Sequence, residues 1–203
     1  MNDVIDKDST IVIDTGTGTQ KVESIETFDL IHEKDPILSQ MLPEFNFDES
    51  PINTADFASS MVETCRKYNG YGLSANQCGF PYRMFVMGAG DEYVAFFNPV
   101  LMKTEGEVHM LEACLSYPGL SLRITRPEKI WVKYQDYTGE WKEGHYVGMS
   151  ARCWLHELDH MNGIVYTTQA KPLALQSGLK KRTKIYNMMD RYFKAQQKLA
   201  QAK

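Results

Sequence analysis

The segment WLHELDHMNG, residues 154–163, holds two histidines four apart with a glutamate beside the first. On an α-helix such positions lie one turn above each other on one face. His156 and His160 can therefore share a divalent cation while Glu157 stands beside it as a general base. A catalytic site of this kind takes three protein ligands and keeps one position for water. Peptidases built on HExxH complete the set downstream. Here the place of a third histidine in HExxHxxGxxH is taken by Tyr166, and no glutamate follows Glu157. Beyond the motif the sole acid is Asp190, which lies among lysines and reads as solvated. The third ligand therefore comes from upstream, where His32, His109, Glu112, Cys114, His145 and Cys153 are the candidates.

Two of these are thiols with contrasting settings. Cys153 shares the helix face of His156 but lies roughly 10 Å along the axis from His160, too far for both to hold one ion comfortably. It reads as a small buried apolar side chain. Cys114 stands in EACLSYPG, where Pro118 and Gly119 impose a defined turn, and a thiolate presented from a rigid turn is a good soft ligand.

The elements that must position these groups follow from local pattern. Ala58, Met61, Val62 and Cys65 recur at helical spacing, with Asn53 or Thr54 as cap and Gly70 as terminator. RMFVMG, YVAFFNP and KIWVKYQ are rich in β-branched and aromatic residues and predict strands. DYTG, residues 136–139, predicts a turn into EWKEGHYV. The HELDH helix should start near Ser150 and stop at Gly163, and a lysine-rich helix should fill most of 179–199. Helices and strands do not alternate regularly, so the class is α+β rather than a doubly wound sheet.

Three ordered motifs carry a resemblance to the peptide deformylases, which remove the formyl group from the initiator methionine of new proteins. GYGLSANQ at 70–77 resembles the family's GφGφAAxQ, EACLS at 112–116 its EGCLS, and HELDH at 156–160 its HExDH. DPIL at 35–38 and the sheet segment from Arg126 extend the likeness over about residues 29–170. The resemblance implies antiparallel sheets packed around a central HExxH helix, followed by a C-terminal helix. It implies Cys114, His156 and His160 as metal ligands and Glu157 as acid/base. The Gln77 amide and the Leu115 N–H would meet the developing oxyanion. Gly70, Gly72, Met149 and Cys153 would line the methionine pocket, and Asp159 would pair with Arg126. The metal it implies is Fe(II), with zinc, nickel or cobalt able to substitute.

Three residues depart from the family's pattern. Ala113 replaces a glycine, which would strain a backbone needing positive φ or crowd a close substrate. Leu155 replaces a polar residue, and Ser74 for alanine is the mildest change. Arg152 falls at a usually apolar pocket position, and its stem is expected to cover apolar surface while the charge reaches water.

Composition sets the remaining bounds. The 203 residues, 43% hydrophobic and 24% charged, describe an ordinary globular chain with enough length for a core. The expected division is an extension over 1–28, a catalytic domain over 29–175 and a basic helix over 176–203. Four cysteines without CxxC spacing point to reduced thiols and a cytoplasmic setting, a host cytoplasm or an organelle being compatible. No apolar run reaches membrane-spanning length, and DNA is not an expected partner. From Lys171 onward nine Lys or Arg face one acid, a local net of +8 against −4 for the whole chain. The default for that tail is a helix docked on the domain; ribosome contact is the sharper alternative. The expected substrates are formyl-methionyl nascent peptides. An HExxH metallopeptidase and an inactive relative that binds nascent chains or ribosomes are the competing readings.

Overall fold

Asn53 caps the first long helix, its side chain accepting from the N–H groups of Ala55 and Asp56, and α1 then runs Thr54–Lys67. The helix ends three residues before Gly70. Asn69, at φ 55°, makes the left-handed turn expected of the glycine. The computed structural model describes residues 12–13, 20–21 and 25–201. Of the expected extension it therefore shows only the antiparallel pair β1 (Val12–Ile13) and β2 (Gln20–Lys21) and the residues from Ile25 on. The rest of 1–24 lies outside the described residues. Phe28 is anchored to the domain: its N–H donates to Thr64 Oγ1 at 2.9 Å and its ring packs on Phe57 and Phe80.

β3 (Gly72–Ser74), β4 (Met84–Ala89) and β5 (Glu92–Glu105) lead to the hairpin β6 (Val108–Ala113) and β7 (Ser121–Arg126). β8 (Lys129–Gln135) and β9 (Trp141–Val147) follow. β3-β4-β5-β8-β9 form one antiparallel sheet, and β6-β7 pair separately. The turn between β8 and β9 is fixed by Asp136, whose Oδ1 accepts from the N–H groups of Thr138 and Glu140.

Period-two alternation in β4 explains the layering. Phe85 faces α2 (Met149–Met161) and packs with Trp154, Leu155, Leu158 and Met161. Met84 and Val86 face the other way, onto Phe57, Met61 and Cys65 of α1. Each such side chain contributes about 1.5–3 kcal/mol by leaving water. Since Trp154, Leu155, Leu158 and Met161 take one face of α2, His156, Glu157 and His160 fall on the other. Leu155, in the place of a polar residue, is simply core.

α3 spans Pro172–Gln201, seven residues earlier at its start than its lysine pattern predicts, so the expected boundary at 175/176 falls inside it. It seats closely on β7, since a Cβ at Gly178 would come within 2.9 Å of Leu120 and 3.0 Å of Leu122.

Candidate active site

Cys114 follows the end of β6 and enters a tight turn, in which the Tyr117 N–H donates to its carbonyl at 3.0 Å. Its Sγ lies 3.3 Å from His160 Nε2, and the candidate ligand atoms of Cys114, His156 and His160 all lie within 4.8 Å of one another. A tetrahedral shell with bonds of about 2.0–2.3 Å separates its ligands by about 3.3–3.8 Å, a spacing the Cys114–His160 pair already has at 3.3 Å. One thiol and two imidazoles, all buried, are a donor set for a borderline-soft divalent metal. The residues present fit such an ion.

Behind His156 stands a buried charge cluster. Glu112 Oε1 accepts from His156 Nδ1 at 2.7 Å and from Arg126 Nη2 at 2.6 Å. Its Oε2 accepts from Arg126 Nε at 2.7 Å and Arg152 Nη1 at 2.9 Å. Burial pushes this carboxyl up, but the hydrogen bonds from Arg126 and His156 outweigh it and hold Glu112 well below the ordinary range. A carboxylate on Nδ1 fixes the tautomer and leaves Nε2 of His156 to face Cys114. Arg126 also reaches Asp159 at 2.8 Å, the expected pairing, and Gln169 adds a bond to the same Asp159 oxygen at 2.6 Å. Arg152 corrects an expectation. It is 2% exposed, and its charge is met by Glu112 and the Val108 carbonyl rather than by water. A buried guanidinium is tolerable only with such partners.

Glu157, 3% exposed, accepts from Ser74 Oγ at 2.6 Å. Burial raises its pKa above the ordinary value, against the opposing pull of His156 and Ser74. A carboxyl whose pKa is raised holds a proton more readily than an exposed one, which suits a group that takes a proton and returns it. Ser74, the mildest departure in the sequence, is thus in direct contact with the base. Gln77 sits in the short 3₁₀ turn Ala75–Cys78, where its Oε1 accepts from the Ser74 N–H at 2.9 Å. That contact turns the amide nitrogen toward Cys114 Sγ, at 3.4 Å, and Ser116 Oγ, at 3.0 Å.

A cavity of about 390 Å³ opens beside these groups. Gln77, Cys114, Leu115, His156 and Glu157 line it together with all four expected pocket residues, Gly70, Gly72, Met149 and Cys153. The glycines are required by contact. A Cβ at Gly72 would lie 2.6 Å from Glu157 Oε1 and 2.8 Å from Cys153 Sγ; one at Gly70 would lie 2.8 Å from Leu115 Cδ1. Burial raises the Cys153 thiol well above its usual pKa, which suits an apolar wall. Ala113 also lines the cavity, and its φ is not among the positive values, so its methyl causes no backbone strain.

A family model described as polypeptide deformylase matches residues 28–176. The chain belongs to the polypeptide deformylase family. A peptide deformylase of Thermotoga maritima is 38% identical over 140 residues, covering 68% of this chain and 84% of that protein. One of Chromobacterium violaceum is 39% identical over 145 residues, covering 66% and 87%. Among solved structures, a Legionella pneumophila peptide deformylase superposes with a TM-score of 0.73 at 27% identity, covering 81% of this chain and 98% of that one. A peptide deformylase from Synechococcus elongatus in complex with actinonin gives 0.72 at 28% identity, covering 77% and 88%. The deformylases are metal-dependent hydrolases that remove the N-formyl group from nascent polypeptides, and this chain is one of them.

Residue reasoning weighed Glu112 only as a third ligand, placed the charge of Arg152 in water, took Ser74 as a mild departure and did not single out Ser116. Period two was a usable signal for the first, because Glu112 stands two residues before Cys114 and so shares its inward face. Nothing local marks the others.

Proposed function

We propose that the chain hydrolyses the formyl group of formyl-methionyl nascent peptides through roles divided as follows. Cys114, His156 and His160 hold a divalent cation, Fe(II) natively, with zinc, nickel or cobalt able to replace it. Such an ion, when bound, supplies Lewis acidity and lowers the pKa of a coordinated water. Glu157 takes a proton from the attacking water and returns it to the departing amine. Gln77 Nε2 and the Leu115 N–H donate to the formyl oxygen as its charge grows. The first side chain enters the cavity between Gly70, Gly72, Met149 and Cys153. Arg126 and Asp159 hold the metal helix against the β6-β7 hairpin.

The observation that carries this reading is the convergence of three buried ligand atoms within 4.8 Å beside an equally buried carboxyl, at the mouth of a cavity of pocket size. Anaerobic purification, elemental analysis and a formate-release assay on formyl-Met-Ala-Ser test it. One metal per chain and stoichiometric formate are expected. Cleavage of internal peptide bonds would favour the metallopeptidase reading, and metal-free protein without turnover the inactive binder.

Residues 29–175 are taken as the catalytic unit, in accord with a family match ending at 176. The site of action is the cytoplasm, where nascent chains emerge; the four cysteines are free. No helix among the described residues is long and apolar enough to cross a membrane. The tail contacts the ribosome: Lys180, Lys181, Lys184, Arg191, Lys194 and Lys198 line an outward helix, and such cations bind RNA by neutralising phosphates.

A further inference from the structure

Glu157 presents its two carboxylate oxygens to different surroundings. Oε2 accepts from Ser74 Oγ at 2.6 Å, and the serine, 0% exposed, does not itself line the cavity. Oε1 takes no hydrogen bond among the described residues, yet it is not one of the wholly buried orphans, which are Asn76 Oδ1, Arg152 Nε, Trp154 Nε1 and His160 Nδ1. It is therefore the oxygen that is not sealed off, on a side chain that lines the cavity. Gly72 makes the room for it: a Cβ there would lie 2.6 Å from Oε1 and 2.9 Å from Cγ. The last torsion of a glutamate is broad and two-fold, so without an anchor the two oxygens exchange places. Here the anchor is itself held. Ser74 ends β3, and its N–H donates to Gln77 Oε1 at 2.9 Å. Among the described residues its hydroxyl has one other acceptor, the Glu157 carbonyl at 3.4 Å.

We infer that Ser74 is a positioning residue for deformylation: its hydroxyl holds Glu157 Oε2 and so assigns the proton transfers to Oε1. The inference rests on Glu157 acting as acid and base at this site. In the step so divided, Oε1 takes one proton from the attacking water and the water oxygen bonds to the formyl carbon. The C–N bond then breaks, and Oε1 returns the proton to the amine nitrogen. Formate and a free amino terminus leave, while Oε2 keeps its serine throughout. Ser74 meets the substrate only through Glu157. Its contribution therefore belongs to the reacting geometry and is read in kcat, not in KM.

The test is metal-loaded Ser74→Ala, read as kcat and KM on formyl-Met-Ala-Ser with elemental analysis of the same sample. Alanine keeps the main-chain bond to Gln77 and removes only the hydroxyl. A fall in kcat of about tenfold is expected, the worth of one hydrogen bond to a charged group, with KM and metal content unchanged. Ser74→Thr restores a hydroxyl and should recover most of the rate. A crystal structure of Ser74→Ala covers the case in which the added methyl of threonine is not accommodated. In it the Glu157 carboxylate should be rotated from its place against Gly72 or spread over two orientations. An unchanged kcat, a loss of kcat matched by loss of metal, a folded Ser74→Thr as slow as the alanine variant, or a carboxylate unmoved in the alanine structure overturns the role of Ser74 and leaves the site assignment standing. Absence of formate with the metal-loaded wild type overturns the site assignment and this inference with it.

Discussion

Gln77 is held from both ends of its amide, with Oε1 on the Ser74 N–H and Nε2 on Ser116 Oγ and Cys114 Sγ. It is not one of the three converging ligands. Gln77→Leu is therefore expected to lower kcat by about 10²–10³ while elemental analysis finds the same metal content. Equal loss of both would make Gln77 a structural residue. Glu112 makes a different demand. Its pKa in the folded chain lies well below the ordinary 4.5, so the stability it contributes is fully present above that pH and fades as pH falls below it. Removing one member of a buried charge cluster costs about 3–5 kcal/mol. Metal-free Glu112→Gln should unfold at a lower temperature than metal-free wild type at pH 7, and the gap should narrow progressively below pH 4.5. A gap independent of pH would mean that packing, not ionisation, is lost.

At the scale of elements, α2 ends where Gly163 turns at φ +70°, against the backbone of Ser39, Gln40 and Met41. A Cβ there would lie 2.8 Å from Ser39 O, so Gly163→Ala combines a forbidden conformation with a clash against main chain. A loss of about 1–3 kcal/mol is expected in a denaturant titration. This glycine, the HELDH face, the turn after Cys114 and the strands β4, β5, β8 and β9 all announce themselves in sequence, because each rests on a local rule of period or turn chemistry. β3 does not, being three residues long. β6 and β7 escape because their alternation, clear in the burial of Leu122, Ile124 and Arg126, is masked by a buried arginine in the inward row. Arg152 was misread for the same physical reason. Composition treats a cation as solvated, and its partner Glu112 lies 40 residues away, a distance no local pattern spans.

For the whole molecule, α3 is two helices in behaviour. Its first half is fastened by Arg182 to Glu33, at 2.7 and 3.0 Å, and by Tyr186 Oη donating to the Pro118 carbonyl at 2.7 Å. Beyond Asn187 the large side chains Met188, Met189, Tyr192 and Phe193 are exposed. The first half thus agrees with the docked helix expected from the sequence, and the ribosome contact set against it is the matter for experiment. A chain ending at Asn187 keeps the fastening contacts. It should retain its unfolding temperature and formate release while its salt-sensitive co-sedimentation with ribosomes weakens; undiminished co-sedimentation would exclude Arg191, Lys194 and Lys198 from the contact.

The two facing walls of the cavity are unequal in what they let change. At Gly70 and Gly72 one wall is bare main chain pressed against Leu115, Glu157 and Cys153, so no larger side chain fits there. Any library meant to retarget this enzyme to a different leading residue has its useful diversity at Met149 and Cys153, because Arg152 is committed to Glu112 and the Val108 carbonyl, and codons spent on the glycines meet these close contacts.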